Sequence, residues 1–254
     1  MIMGHDKAEQ ILSVLPGVDC NGHGGCGKSS CSECAEAIAA GESPAMCPAC
    51  TQTEVDKIAE LMGVEAPQAK DEIAFVACSG DAAGKARFAD CASCREAVEK
   101  GFVRGECKSG CVGCGSCIEY CKFGAMKVDN GDIIIDTDKC TGCGACADAE
   151  ACVQGVIRLI PRDATNFIPC SSREEDDDLV REICGFGCIG CGDCARACPE
   201  GAIDIIDNHA VINYDKCVGC VACTVKCKKK IIVDTVHDLT KLKDKVAFVR
   251  CSGG

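Results

Sequence analysis

The sequence has no tryptophan, and only 2 tyrosines and 7 phenylalanines in 254 residues. Aromatic rings normally supply much of the burial in a core, so something else must fill this interior. No apolar run approaches the length that crosses a membrane. The N-terminal stretch carries His5, Asp6, Lys7 and Glu9 and lacks the apolar segment of a secretory leader. Positive charge is in deficit, with 27 Lys and Arg against 39 Asp and Glu, and the net charge is −12. Such a balance repels nucleic acid and anionic membrane surfaces and suits a protein partner with a basic docking patch. The expectation is a cytoplasmic chain with no membrane span and no nucleic-acid partner.

Cysteine, by contrast, is abundant at 29 residues. A disulfide scaffold does not account for it. The count is odd, no leader is visible, and the chain far exceeds the small secreted domains that need such staples. Thiolates holding inorganic cofactors remain. Bound clusters would also fill the aromatic-poor interior and make folding depend on them.

An internal duplication organises the chain. Cys107-Lys-Ser-Gly-Cys111-Val-Gly-Cys114-Gly-Ser-Cys117-Ile-Glu-Tyr-Cys121 has the same spacing as Cys184-Gly-Phe-Gly-Cys188-Ile-Gly-Cys191-Gly-Asp-Cys194-Ala-Arg-Ala-Cys198. After equal spacers of 18 residues come Cys140-Thr-Gly-Cys143-Gly-Ala-Cys146 and Cys217-Val-Gly-Cys220-Val-Ala-Cys223. Apolar stretches lie between the runs at 131–136 and 210–214, and short strands ending in cysteine precede each copy at 73–78 and 167–170. Residues 247–253 echo the first of those strands.

The spacing C-x2-C-x2-C-x3-C is the run of bacterial two-cluster ferredoxins, in which the fourth cysteine serves the neighbouring cluster. Three cysteines at this interval wrap a loop around one cubane, and the fourth, a turn further on, faces the next. Zinc sites draw on two pairs of ligands rather than three cysteines in series, which disfavours zinc for these runs. The crossover rule predicts four 4Fe-4S clusters: on Cys111, Cys114, Cys117 and Cys152; on Cys121, Cys140, Cys143 and Cys146; on Cys188, Cys191, Cys194 and Cys227; and on Cys198, Cys217, Cys220 and Cys223. Between Cys146 and Cys152 lie 5 residues where the other runs have 3, so residues 148–151 must loop out. A cube bound by four thiolates has no open position for substrate, and electron transfer is its function.

Residues 7–15 and 53–62 show helical periodicity, and Thr53 with Asp56 resembles a capping box. Residues 67–71 read as a linker, and the acidic stretch 171–178 as a surface loop capping a helix at 179–183.

The order of these parts resembles a known family. Leu15-Pro16-Gly17-Val18-Asp19-Cys20, Cys26-x4-Cys31, Ala35 to Ala39, Gly41-Glu42, Cys47-Pro48, Ala59 to Val64, Phe75 to Gly80 and both cysteine-rich copies look like the B subunit of Rnf-type ferredoxin:NAD oxidoreductase complexes. The resemblance covers nearly the whole chain. It implies a fifth cluster on Cys20, Cys26, Cys31 and Cys47. Here 5 residues separate Cys20 from Cys26 where the family has about two, so Cys34 or Cys50 is an alternative ligand. In the family this subunit usually starts with a membrane helix, so the resemblance points to a soluble relative. The implied fold is α+β: a small helical N-terminal 4Fe-4S domain at 1–66, then two tandem two-cluster ferredoxin modules at 67–165 and 166–254. The implied function is a non-catalytic subunit passing low-potential electrons from ferredoxin to flavoprotein or dehydrogenase subunits of a hetero-oligomeric, anaerobic complex.

Cys34, Cys50, Cys78, Cys91, Cys94, Cys107, Cys170, Cys184 and Cys251 remain. Cys78 and Cys107 match Cys170 and Cys184 by position. A sixth cluster on Cys78, Cys94 and Cys107 with one further ligand is one reading, and buried free thiols packing as small apolar groups is the other. His23, in the inserted loop, is a further candidate ligand, though a loop histidine is more often without one. The segment from Gly22 to Ser29 fits the phosphate-loop pattern G-x4-G-K-S, which would make the chain an ATP-dependent reductive activator. A helix precedes it where a strand is required, so no nucleotide is expected. No dinucleotide fingerprint follows a strand, so no flavin is expected. A redox sensor or cluster store is the remaining alternative.

Overall fold

The computed structural model describes residues 3–79, 91–102, 107–129 and 131–235. The echo at 247–253, with Cys251, lies outside them. Three helices form the N-terminal unit: α1 (Met3–Val14), α2 (Cys31–Ala39) and α3 (Gln52–Met62). Ser30 caps α2 by accepting from Glu33 N–H (3.2 Å), while the Glu33 carboxylate accepts from Ser29 N–H (2.9 Å). In α3 the capping box falls on Thr51 and Glu54, two residues before the expected pair, with Thr51 N–H and Oγ1 both donating to Glu54 (2.7 and 2.9 Å). Asp56 instead accepts from Gln52 Nε2 (2.8 Å). The apolar faces meet through Ile11, Ile38, Val55 and Ile58, all fully buried, each contributing about 1.5–3 kcal/mol relative to exposure.

The predicted linker is irregular but fastened. Gln52 holds it by donating to Pro67 O (3.1 Å) and accepting from Ala69 N–H (2.8 Å). Arg162 Nε holds Asp71 at 2.7 Å.

Each copy is a pair of antiparallel ribbons. In the first, β1 (Glu72–Val76) pairs with β4 (Ile157–Pro161), Glu72 opposite Pro161, and β2 (Met126–Asp129) with β3 (Asp132–Ile135). Two short helices, α4 (Cys94–Glu99) and α5 (Ser116–Tyr120), and a 3-10 turn at Ala145–Ala147 carry cysteines between them. In the second, β5 (Asn166–Phe167) pairs with β8 (Val233–Asp234) and β6 (Ile203–Ile206) with β7 (His209–Ile212). Its helices are α6 (Asp177–Ile183), α7 (Asp193–Ala197) and α8 (Ala222–Lys226). Asp176 caps α6 by accepting from Asp178 and Leu179 N–H, so the acidic loop does cap a helix.

The strand expected at 167–170 is shorter than its apolar run. The chain leaves the ribbon in a tight turn in which Cys170 N–H donates to Ile168 O (2.9 Å); Cys78 N–H does the same to Val76 O (2.8 Å). The two copies share a core. Phe75 and Phe167 rings meet at 4.6 Å, in a buried cluster with Val76, Ile133, Ile135 and Val156. Among the described residues no helix is long and apolar enough to cross a membrane.

Candidate metal-cluster sites

The ferredoxin runs fold into loops because glycine stands inside each C-x-Gly-C step. Gly142 has φ +66°, and a Cβ there would overlap the Glu72 carbonyl of β1. Only glycine lets the loop sit this close to the strand in a left-handed conformation.

Three rings of cysteine surround small cavities. Cys121, Cys140, Cys143 and Cys146 line one of about 20 Å3, and Cys188, Cys191, Cys194 and Cys227 line another of about 20 Å3. Both combine three cysteines of one run with the fourth of its partner run. The third cavity, also about 20 Å3, is lined by Cys94, Cys111, Cys117 and Cys152. Cys152 reaches it because residues 148–151 turn back, with Cys152 N–H donating to Asp148 O (2.8 Å). Cys114 lies beside this ring, packed with Cys91 and Cys94. Cys94 is held at the first turn of α4, its N–H donating to Ser116 Oγ on α5 (2.8 Å). Spacing alone did not reveal Cys94. A signal did exist: Ser93-Cys94-x-Glu96 repeats Ser30-Cys31-x-Glu33, a capped helix with cysteine at its first position.

Around the fourth set, Asn166 is buried and joins two cysteines. Its Nδ2 donates to Cys223 Sγ (3.1 Å), and Cys217 Sγ donates to its Oδ1 (3.6 Å). Cys198 Sγ accepts from Ala202 N–H (3.3 Å), and Cys220 is exposed. Backbone donors aim at the other rings too: Ala74 at Cys140 (3.3 Å), Ala125 at Cys121 (3.3 Å) and Ala210 at Cys188 (3.4 Å). Donors of this kind stabilise thiolate sulfur bound to metal.

In the N-terminal unit, Cys26, Cys31 and Cys47 are close enough to Cys20 for their charges to raise its thiol, and Cys143 of the second ring adds more than any of them. The inserted loop packs on Cys20 through Gly24, whose missing Cβ would be 3.1 Å from Cys20 Sγ. Cys34 and Cys50 stand behind, both buried, with Cys50 hydrogen-bonded to Cys47. The contacts of His23 are with aromatic and acidic groups. It lies edge-on to Tyr120 (4.8 Å) and near Asp148 (3.5 Å) and Glu150 (3.8 Å). Gly25 N–H donates to Cys143 O (2.8 Å). These contacts dock the unit on the first copy. The segment from Gly22 to Ser29 is a series of turns after α1, without the strand that a phosphate loop needs.

Burial raises many of these thiols. Cys146 is pushed up to about 12, Cys194 to about 11 and Cys20 to about 11, burial being the largest cause and neighbouring cysteines adding to it. Cys114 is pushed up to about 12 by burial and then by Cys94. Cys47 runs the other way, down to about 7, because the Cys50 thiol donates to it. Groups of thiols held out of water resist ionisation until a cation shares the site. Two hydroxyls agree: the buried side chains of Thr141 and Thr224 stand against Cys143 and Cys223 and favour the charged form of each thiol. The residues fit iron–sulfur clusters.

Paired ribbons, crossed cysteine rings and sulfur-directed amides define an iron–sulfur electron-transfer protein built from ferredoxin units. The family models described as "4Fe-4S dicluster domain" and "4Fe-4S binding domain" match residues 187–231 and 133–149. The B subunit of the ion-translocating oxidoreductase complex of Methanosarcina acetivorans is 34% identical over 88% of this chain and 84% of its own length. The B subunit of the sodium-translocating ferredoxin:NAD(+) oxidoreductase complex of Acetobacterium woodii is 35% identical, over 89% of this chain and 68% of its own. The proton-translocating counterpart of Clostridium ljungdahlii is 36% identical, over 85% and 77%. The chain belongs to this family, the B subunits of Rnf-type ion-translocating oxidoreductase complexes.

Proposed function

We propose that the chain is a non-catalytic electron relay. It takes low-potential electrons from a ferredoxin and passes them through five 4Fe-4S clusters to flavoprotein or dehydrogenase subunits of a hetero-oligomeric complex. The clusters supply one-electron transfer when bound and offer substrate no open position. Ferredoxin is taken as the donor because two relatives are named as subunits of ferredoxin:NAD(+) oxidoreductase complexes. Thiolate sites need a reducing compartment, which supports the cytoplasmic side.

The ligand sets are Cys20, Cys26, Cys31 and Cys47 in the N-terminal unit and the four rings in the copies. In the first ring Cys94 takes the place expected for Cys114. The observation that carries the reading is adjacency. Gly25 N–H, in the loop between Cys20 and Cys26, donates to Cys143 O (2.8 Å), so the N-terminal set adjoins the second ring. Cys117 and Cys146 belong to one buried cluster, so the second ring adjoins the first. At the far end Cys220 is exposed, with Val218 67% and Val225 81% exposed nearby. That end suits docking of a redox partner.

The test is anaerobic mixing of the cluster-loaded chain with reduced ferredoxin. Visible absorption should bleach, and return when an oxidised flavoprotein partner is added, over repeated cycles. Clusters that stay oxidised, or are lost at each cycle as in a sensor or store, overturn the relay.

A further inference from the structure

Four cysteines outside the five sets meet between the two copies. Cys78 follows β1 and Cys170 follows β5. Cys107 and Cys184 precede Cys111 and Cys188 at equal spacing. All four line one cavity of about 40 Å3, against about 20 Å3 inside each of the first three rings.

The arrangement has local two-fold character. Cys111 N–H donates to Cys78 Sγ (3.4 Å), and its counterpart Cys188 N–H donates to Cys170 Sγ (3.2 Å). Ser172 N–H gives Cys170 a second donor (3.4 Å). The copies grip each other at the same place: Ser79 N–H donates to Pro169 O (3.2 Å), and Ser171 Oγ donates to Ala77 O (3.0 Å). Cys107 and Cys184 each accept, through the carbonyl, from a glycine three residues on: Gly110 (3.4 Å) and Gly187 (3.1 Å). A Cβ at Gly110 would lie 3.6 Å from Cys78 Sγ and 3.7 Å from Cys107 Sγ, so both sulfurs flank one point. Ser79 Oγ lines the cavity and is out of solvent with no partner among the described residues. The buried hydroxyls of Thr141 and Thr224 likewise stand against cysteines of two other sets, Cys143 and Cys223.

We propose that Cys78, Cys107, Cys170 and Cys184 hold a sixth 4Fe-4S cluster that bridges the two copies. This deepens the relay reading and rests on it. The site adjoins the first ring through Cys111 and the third through Cys188. Two pairs of thiols are also a zinc pattern. A zinc ion with sulfurs at about 2.3 Å closes its own coordination sphere, and the cavity here exceeds those inside the ferredoxin rings. Amides aimed at sulfur and a buried hydroxyl lining the cavity suit a cluster, whose ligand and inorganic sulfurs both accept.

The test is iron, sulfide and zinc per chain in the intact protein purified anaerobically, beside the same counts for a Cys170→Ser, Cys184→Ser double variant. About 24 irons with matching sulfide, falling to about 20 in the variant, is the expected result. About 20 irons in the unaltered chain, with or without one zinc, overturns the sixth cluster and leaves the relay intact. Far fewer than 20 overturns the five sets as well. Should the variant not accumulate, Mössbauer quantification of the unaltered chain separates the same outcomes.

Discussion

Replacing Gly142 with alanine tests the coupling of loop to strand. The residue sits at φ +66°, where an L side chain costs about 1–2 kcal/mol. Its new Cβ would also overlap the Glu72 carbonyl. That carbonyl cannot retreat freely, since Glu72 is in register with Pro161 and the adjoining Asp71 is tied to Arg162. Forcing such an overlap adds about 1–3 kcal/mol, for a sum of about 2–5 kcal/mol. Gly124 is the control: φ is +61°, but nothing lies within 4 Å of its would-be Cβ. Gly124→Ala should therefore cost only the conformational part, about 1–2 kcal/mol. Anaerobic denaturant titrations at fixed incubation time, followed by visible absorption, should place the Gly142→Ala midpoint below that of Gly124→Ala. The deficit should fall on the cluster held by Cys140, Cys143 and Cys146. Coincident midpoints would show that the loop does not need its close approach to β1, and the argument would fail.

Cys94→Ser should lower the iron count by up to about 4 per chain, whereas Cys114→Ser should leave it near the unaltered value; the reverse would return Cys114 to the first ring. Asn166→Asp keeps the shape but places negative charge against Cys217 and Cys223 in place of a donor, so voltammetry should show one potential moving to a more negative value. His209 is held below its ordinary 6.5 by burial first and by the Arg158 guanidinium after it, with Arg173 adding to that and Asp207 opposing. Its folded form resists the proton that the unfolded chain accepts, so its contribution is full above 6.5 and is lost as pH falls from there through the lower value of the folded state. His209→Gln should flatten that part of the stability profile in anaerobic denaturation.

The cysteine runs were legible because their chemistry is local. Three thiols at intervals of three positions prescribe a loop, and the second and third rings assemble from the cysteines named by the crossover rule. The apolar stretch at 131–136 marked β3, along which burial alternates, but not its pairing with β2. Other features depend on residues far apart in the chain. Cys94 reaches the first ring only because α4 is tied to α5 through Ser116, 22 positions on. Cys78 meets Cys170 only because the two ribbons share Phe75 and Phe167. Spacing carries no information about such meetings. The capping box slipped by two residues for a smaller reason: Thr51-Glu54 and Thr53-Asp56 have equal spacing, and Gln52 occupies Asp56.

The crossed ligation has a consequence for how oxygen would damage this protein. Helix α7 carries Cys194 for the third ring and is followed at once by Cys198 for the fourth, and α8 pairs Cys223 with Cys227 in the reverse sense. The fourth set is the one with an exposed thiol, Cys220. With the ligand sets proposed above, oxidative loss there would free Cys198 and Cys223 together, and with them one anchor of each helix. The neighbouring ring then loses the scaffold for Cys194 and Cys227. Decay would begin at Cys220 and take both clusters of the second copy together.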